Sequence, residues 1–226
     1  MSDEPLKIAI LGGGPSLAEA PIGDTSWIFW GMPWIPVPHL DLYFEPHADW
    51  RKNAKFYPCG DRPGALISYI NEMTSENSPL LLPAIDPEIP NSVAYPFEDV
   101  DALSGGRYLE STVAYMLAFA ALYTKPGDIV GLWGCDLATD SEYVYQRPNA
   151  EFWCGILRGR GVALTGAKGL SILRSVWSRG YYGAKDNVLI YDGVPGAVRA
   201  QIQARIDRRT SHGVSEGHYG SLAHEV

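Results

Sequence analysis

Residues Lys7 to Ser16, Lys-Ile-Ala-Ile-Leu-Gly-Gly-Gly-Pro-Ser, constrain this chain more than any other stretch. A short apolar run of β-type residues, Leu6 to Leu11, breaks into Gly12, Gly13 and Gly14. Pro15 and Ser16 follow, then a helix-like stretch from Leu17 to Ala20. Strand, glycine turn and helix start is the local plan by which α/β proteins build a phosphate cradle. Glycine lets the backbone turn tightly and approach a ligand closely, and the N–H groups of a helix N-terminus favour an anion. Pro15 suits a first helical turn, where its missing N–H costs nothing. Ser16 is placed to cap that turn or to donate to a phosphate oxygen. The run is not G-x-G-x-x-G, because Leu17 stands where a third glycine is needed, and it is not a Walker A loop, because no Lys-Ser/Thr follows. A plain turn between strand and helix, with no ligand, is the alternative.

Further strand and helix signals alternate along the chain. Trp27–Trp30, Leu42–Phe44, Leu80–Pro83, Val93–Tyr95, Asp128–Trp133 and Val162–Thr165 read as strands. Helical character appears at Pro63–Thr74 and at Pro148–Arg158, with Pro148 near a first turn. It is strongest at Glu110–Tyr123, where Val113, Met116, Leu117, Ala120 and Ala121 form one stripe. Ser111 and Thr112 can cap that helix and Pro126-Gly127 ends it. The pattern predicts one doubly wound α/β domain over residues 1–184, with a mostly parallel sheet and helices on both faces. Residues 185–226 are expected to form a helical extension, with Ala197–Arg209 as a charged helix, and a flexible tail.

A length of 226 residues is enough for a substantial core. No run of about 18 apolar residues exists, so no membrane span is expected. The N-terminus carries no signal-peptide pattern. Cys59, Cys135 and Cys154 are widely spaced, as in a reduced, cytoplasmic protein. A formal net charge of −8 argues against extended nucleic-acid binding, which needs clustered Lys and Arg.

In open α/β sheets ligands sit beyond the carboxyl ends of the strands. Gly12 to Ser16 follow the first predicted strand, Gly31 the second, and Glu45 and His47 the third. Gly134, Cys135 and Asp136 follow the Asp128–Trp133 strand. This gathers glycines and polar residues at one edge of the sheet. Glu45 and His47 can act as acid or base, or hold a divalent ion with Asp49. Asp136 can hold a metal, a ribose hydroxyl or a substrate amine, or simply cap its turn. Ser111 and Thr112 can donate to a second phosphate or carboxylate. Tyr143, Tyr145, Gln146 and Arg147 read as a polar-aromatic loop, in which Arg147 can pair with a phosphate or remain a solvated charge.

Gly12-Gly13-Gly14-Pro15-Ser16-Leu17 resembles the G-x-G-P-S-L opening of two related groups. These are the bacterial CMP-sialic-acid-dependent sialyltransferases and the archaeal hydroxymethylpterin diphosphokinase-like proteins. Ser111-Thr112-Val113-Ala114 resembles their Ser/Thr-rich helix start, and Gly134-Cys135-Asp136-Leu137 their Gly-x-Asp-Leu/Phe strand end. Order and rough spacing agree across about Leu6 to Tyr145. The chain is also similar to uncharacterised proteins of tailed phages. It shares with them Trp30-Gly31, Glu45-Pro46-His47, Leu132 to Asp136, Glu142-Tyr143 and Gln146-Arg147. It departs from the sialyltransferases at Gly13, where they carry Asn, and at Gly31-Met32, where they carry a second Asn. No counterpart of their catalytic histidine is placed by motif.

The resemblance implies a nucleotide-binding Rossmann-like fold and a transferase using a nucleotide-activated donor such as a nucleotide sugar, with a phage-type glycosyltransferase first among the expectations. On that reading Glu45, His47 and Asp136 are catalytic. Gly12, Gly13, Gly14, Pro15, Ser16, Gly31, Ser111, Thr112, Gly134, Tyr143 and Arg147 bind the donor. A Mg²⁺-dependent pyrophosphokinase or other phosphotransferase is one alternative, with Mg²⁺ on carboxylates such as Asp136, Glu45 or Asp140. A non-catalytic nucleotide-binding module is another. The partner expected is the nucleotide or nucleotide sugar, with a homo-oligomer admitted. The setting expected is the cytoplasm, of the host cell if the chain is phage-encoded.

Overall fold

Ile8, Ala9, Ile10 and Leu11 lose all contact with solvent because the strand they form is flanked on both sides. In the computed structural model this strand, β1 (Lys7–Leu11), lies between β2 (Ile28–Gly31) and β6 (Ile129–Trp133). The remaining strands are β3 (Leu42–Phe44), β4 (Leu80–Leu82), β5 (Ser92–Ala94) and β7 (Ala163–Gly166). The seven-stranded sheet has the order β5-β4-β3-β2-β1-β6-β7, and every pairing is parallel. The structure describes residues 4–60, 64–106, 108–137, 141–168, 170 and 172, and only the backbone of Asn53 and of residues 141–144. The expected boundary after residue 184, the helix over 197–209 and the tail lie outside the described residues.

Four α-helices accompany the sheet among the described residues: α1 (Ala65–Met73), α2 (Phe97–Ser104), α3 (Thr112–Tyr123) and α4 (Ser141–Gly159). The chain steps from β1 out to β5 in one direction, then returns past β1 to β6 and β7. Right-handed crossovers made in opposite directions leave a parallel sheet by opposite faces, which is the doubly wound plan. Helix α3 packs against α2, α4, β1 and β3. Its burial is wider than a single stripe, because Ala114 and Ala118 are enclosed as well as Val113, Met116, Leu117, Ala120 and Ala121. Small residues on the added face let the helix seat closely between its neighbours.

Two expectations are corrected. No α-helix follows the glycine turn: Pro15–Glu19 is a single stretch of 3₁₀ helix. A segment this short sums few peptide dipoles, so the turn lacks the helix N-terminus expected of a phosphate cradle. Secondly, α4 begins at Ser141, so Pro148 lies inside it and Tyr145, Gln146 and Arg147 are helical rather than looped. Proline deletes one backbone bond inside a helix. Side chains bridge this stretch: Asn149 Nδ2 donates to the Tyr145 carbonyl (2.9 Å) and Arg147 pairs with Glu151 one turn on (2.7 Å). Helix α2 carries no strong periodic signal and was not expected.

The sheet reverses its direction of growth between β1 and β6, and there the chain crosses itself closely. Gly12 N–H donates to the Trp133 carbonyl (2.7 Å) and Gly14 N–H to that of Gly134 (2.8 Å). A methyl group on either Gly12 or Gly134 would collide with the other's carbonyl oxygen, and Gly134 also holds φ +68. Gly134→Ala is therefore expected to cost about 3 kcal/mol or more, adding a backbone clash to left-handed strain. Gly60→Ala, at φ +65 with nothing within 4 Å of the new methyl, carries the strain alone, about 1–2 kcal/mol. Urea denaturation midpoints of the two variants check the difference.

Candidate functional site

The loops leaving β1 and β6 are joined by one serine. Ser16, buried in the 3₁₀ turn, donates its hydroxyl to Asp136 Oδ2 (2.9 Å) and accepts the Gly134 N–H (2.8 Å). Its own N–H also reaches Asp136 Oδ2, at 3.2 Å. Ser16 is thus committed to holding Asp136 in place. The N–H groups of Gly12, Gly14 and Ser16 are likewise spent on protein acceptors. The first loop acts mainly as a shaped wall.

That wall borders a cleft of about 650 Å³ at the carboxyl edge of the sheet. Gly12, Gly13, Gly14, Pro15, Gly134, Asp136 and Leu137, from the two crossing loops, line part of it. Ser111, Thr112 and Val113 come from the start of α3, and Gln146 from α4. Glu45 and His47 follow β3, Met32 and Trp34 follow β2, and Phe56 completes the lining. Trp34 lies against the glycine turn so closely that a methyl on Gly13 would stand 2.6 Å from its ring. Among the described lining residues there is no Lys or Arg.

Helix α3 opens on the cleft at its N-terminus. Ser111 caps it, accepting the Ala114 N–H at 3.1 Å. Thr112 and Val113 carry the first N–H groups of a twelve-residue helix, and such groups have no intrahelical acceptor. The amide donors expected of the glycine turn are supplied here by a longer helix.

Across the cleft lining, β3 delivers a buried carboxylate. Glu45 continues the sheet pairing, donating its N–H to the Leu81 carbonyl (3.0 Å), and its side chain is only 2 % exposed. Oε2 accepts the Tyr57 hydroxyl at 2.5 Å, while Oε1 pairs with His47 Nδ1. His47 is 58 % exposed and so bridges the buried carboxylate and the cleft. Burial, followed by the charge of Glu45, pushes the Tyr57 hydroxyl far above its ordinary range, so it stays a proton donor. Tyr57 ends the 3₁₀ segment Trp50–Phe56. Arg51 anchors that segment through a two-point pair with Asp86 (2.6 and 3.0 Å) and a contact with Glu88 (2.6 Å).

Several expected residues are placed elsewhere. Gly31 lies within β2 under Leu40 and Ile35, outside the cleft lining. Asp49 pairs with Lys52 on the surface (2.7 Å) and does not join Glu45 and His47. Arg147 is engaged by Glu151 on its own helix. Tyr143 lies on α4, its side chain outside the described residues. Among the described residues no three His, Cys, Asp or Glu side chains converge as a metal site. Cys135 and Cys154 are buried, and burial raises both thiols, Cys154 to about 12, which disfavours a thiolate nucleophile. Tyr57, Trp34 and Phe56 are the cleft or support residues that sequence reasoning missed. The spacing of Glu45 and Tyr57 carries no motif, and the aromatic residues read equally well as core.

No protein-family model, no curated protein and no solved structure matches this chain. The seven-stranded all-parallel sheet with its helices is a Rossmann-like α/β fold. Among the described residues no helix is long and apolar enough to cross a membrane.

The Arg51 anchor has a pH signature. The guanidinium beside Asp86 holds that carboxyl below its usual range. A folded-state pKa below the unfolded value contributes stability above the unfolded pKa, lost as pH falls through the folded one. Wild-type protein is therefore expected to lose more stability than Arg51→Gln between about pH 5 and 3. Urea titrations at a series of pH values measure this difference.

Proposed function

We propose that the cleft binds a nucleotide-activated donor and transfers its group to an acceptor hydroxyl, with glycosyl transfer as the reaction. The supporting observation is that the N-terminal amides of α3 and a carboxylate-backed histidine line the same cleft at the reversal point of a parallel sheet. An anion is favoured at the first and a proton acceptor at the second. Trp34, Phe56 and Met32 offer apolar and aromatic surface for a base or sugar ring.

In this reading the donor phosphate lies at Thr112 and Val113, with the Ser111–Thr112 hydroxyls beside it. His47 takes the proton of the acceptor hydroxyl. The acceptor oxygen bonds to the donor carbon as the carbon–phosphate-oxygen bond breaks, and the nucleotide leaves with that electron pair. His47 then returns its proton to water. Asp136, fixed by Ser16, orients donor or acceptor through hydrogen bonds.

A second reading, Mg²⁺-dependent phosphotransfer, is favoured by one feature. Glu45 and Asp136 line a cleft without Lys or Arg among its described residues, so a polyphosphate there calls for a cation. Thermal melting with CMP, CDP, UDP, GDP, ADP, UDP-glucose and ATP, each with and without Mg²⁺, separates the two. Stabilisation by a pyrimidine nucleotide or sugar nucleotide supports the transferase. Stabilisation by ATP only with Mg²⁺ supports phosphotransfer, and no stabilisation by any of them overturns both.

With the stabilising donor in hand, donor hydrolysis checks the assignment of the base. His47→Asn is expected to lower kcat about 10²–10⁴-fold while donor affinity stays within a few-fold.

A further inference from the structure

The geometry points to Tyr57 as the positioning residue of a Tyr57–Glu45–His47 relay, which sets the histidine tautomer before any ligand arrives. The inference rests on the reading of His47 as the base and goes beyond it by naming what holds the base. An ionised carboxylate only accepts hydrogen bonds. Glu45 has one oxygen taken by the Tyr57 hydroxyl, and its other oxygen faces His47 Nδ1. Nδ1 must then carry the proton, and in the neutral ring Nε2 is the basic nitrogen. Free histidine has no partner to impose that choice, so here it is set by the protein.

The hydroxyl of Tyr57 is well suited to the task. Its ring is buried, stacked edge-on against Tyr69 of α1 at 6.1 Å, and Tyr69 in turn donates to the Pro33 carbonyl at 3.1 Å. Among the described residues, Tyr69 from α1 and Cys59 beyond the Trp50–Phe56 segment are the titratable groups, besides Glu45, that act on Tyr57. Tyr57 is a neutral donor on one carboxylate oxygen, and it keeps the other oxygen turned toward His47. Without it, Oε2 loses its buried partner and the carboxylate is free to turn toward another donor.

The test is nitrogen-detected NMR of histidine in the full chain without ligand, with the His47 signal assigned from its loss in His47→Asn. Wild-type protein is expected to show the Nδ1–H tautomer at pH above the His47 titration. Tyr57→Phe should move the tautomer population toward Nε2–H, and in the turnover assay should lower kcat about tenfold with KM unchanged. A wild-type Nε2–H tautomer, or a Tyr57→Phe spectrum matching wild type, overturns the proposal. If Tyr57→Phe fails to fold, the wild-type Tyr57 hydroxyl proton decides. A slowly exchanging downfield signal lost in Glu45→Gln supports the relay, and its absence from wild type contradicts it. Because the NMR needs no ligand, a failed relay leaves the donor panel untouched, and a failed panel leaves the tautomer result standing.

Discussion

Everything at the carboxyl edge of this sheet depends on two peptide groups passing within contact distance, at Gly12 and Gly134. Their crossing joins β1 to β6 beyond the last ladder bond and closes the sheet's reversal point from below. Ser16 then spans the crossing and holds Asp136. A side chain on either glycine would push the loops apart and take Asp136 with them. The triple glycine is thus explained first by packing between loops and against Trp34, before any ligand is considered.

The consequence is a division of labour around the cleft. The crossing loops supply shape and one oriented carboxylate, with their own N–H groups largely consumed. Helix α3 opens its N-terminal end on the cleft, and the segment after β3 places Glu45 and His47 there. Each contribution comes from a different element of a rigid parallel sheet, so their relative positions are set by the fold itself. The Trp50–Phe56 segment is the exception. It is short and 3₁₀, and its place depends on Arg51 bridging to Asp86 and Glu88. Tyr57 follows that segment and is fixed by Glu45 and by the ring of Tyr69.

Much of the fold was legible because parallel strands buried on both faces are written as continuous apolar runs. Ile8 to Leu11 and Ile129 to Trp133 are such runs, and β3 ends where the polar residues begin. The start of α4 was not legible because Pro148 reads as a start signal, whereas side-chain bonds from Asn149 and Arg147 span the interruption. Glycines and carboxylates that end strands could be expected at one edge, since topology alone brings strand ends together. What the sequence did not reveal was pairing across that edge. Nothing in the order of residues says that Ser16 faces Asp136, or that Tyr57 reaches back to Glu45. Both pairings depend on how non-adjacent segments fold over one another.

Hydrogen–deuterium exchange in the presence of the nucleotide panel tests most directly the claim that this cleft is the functional site. The account predicts that a bound ligand slows exchange in peptides covering residues 110–115 and 10–17, and leaves 84–90 unchanged. Protection confined to segments away from the cleft would contradict it.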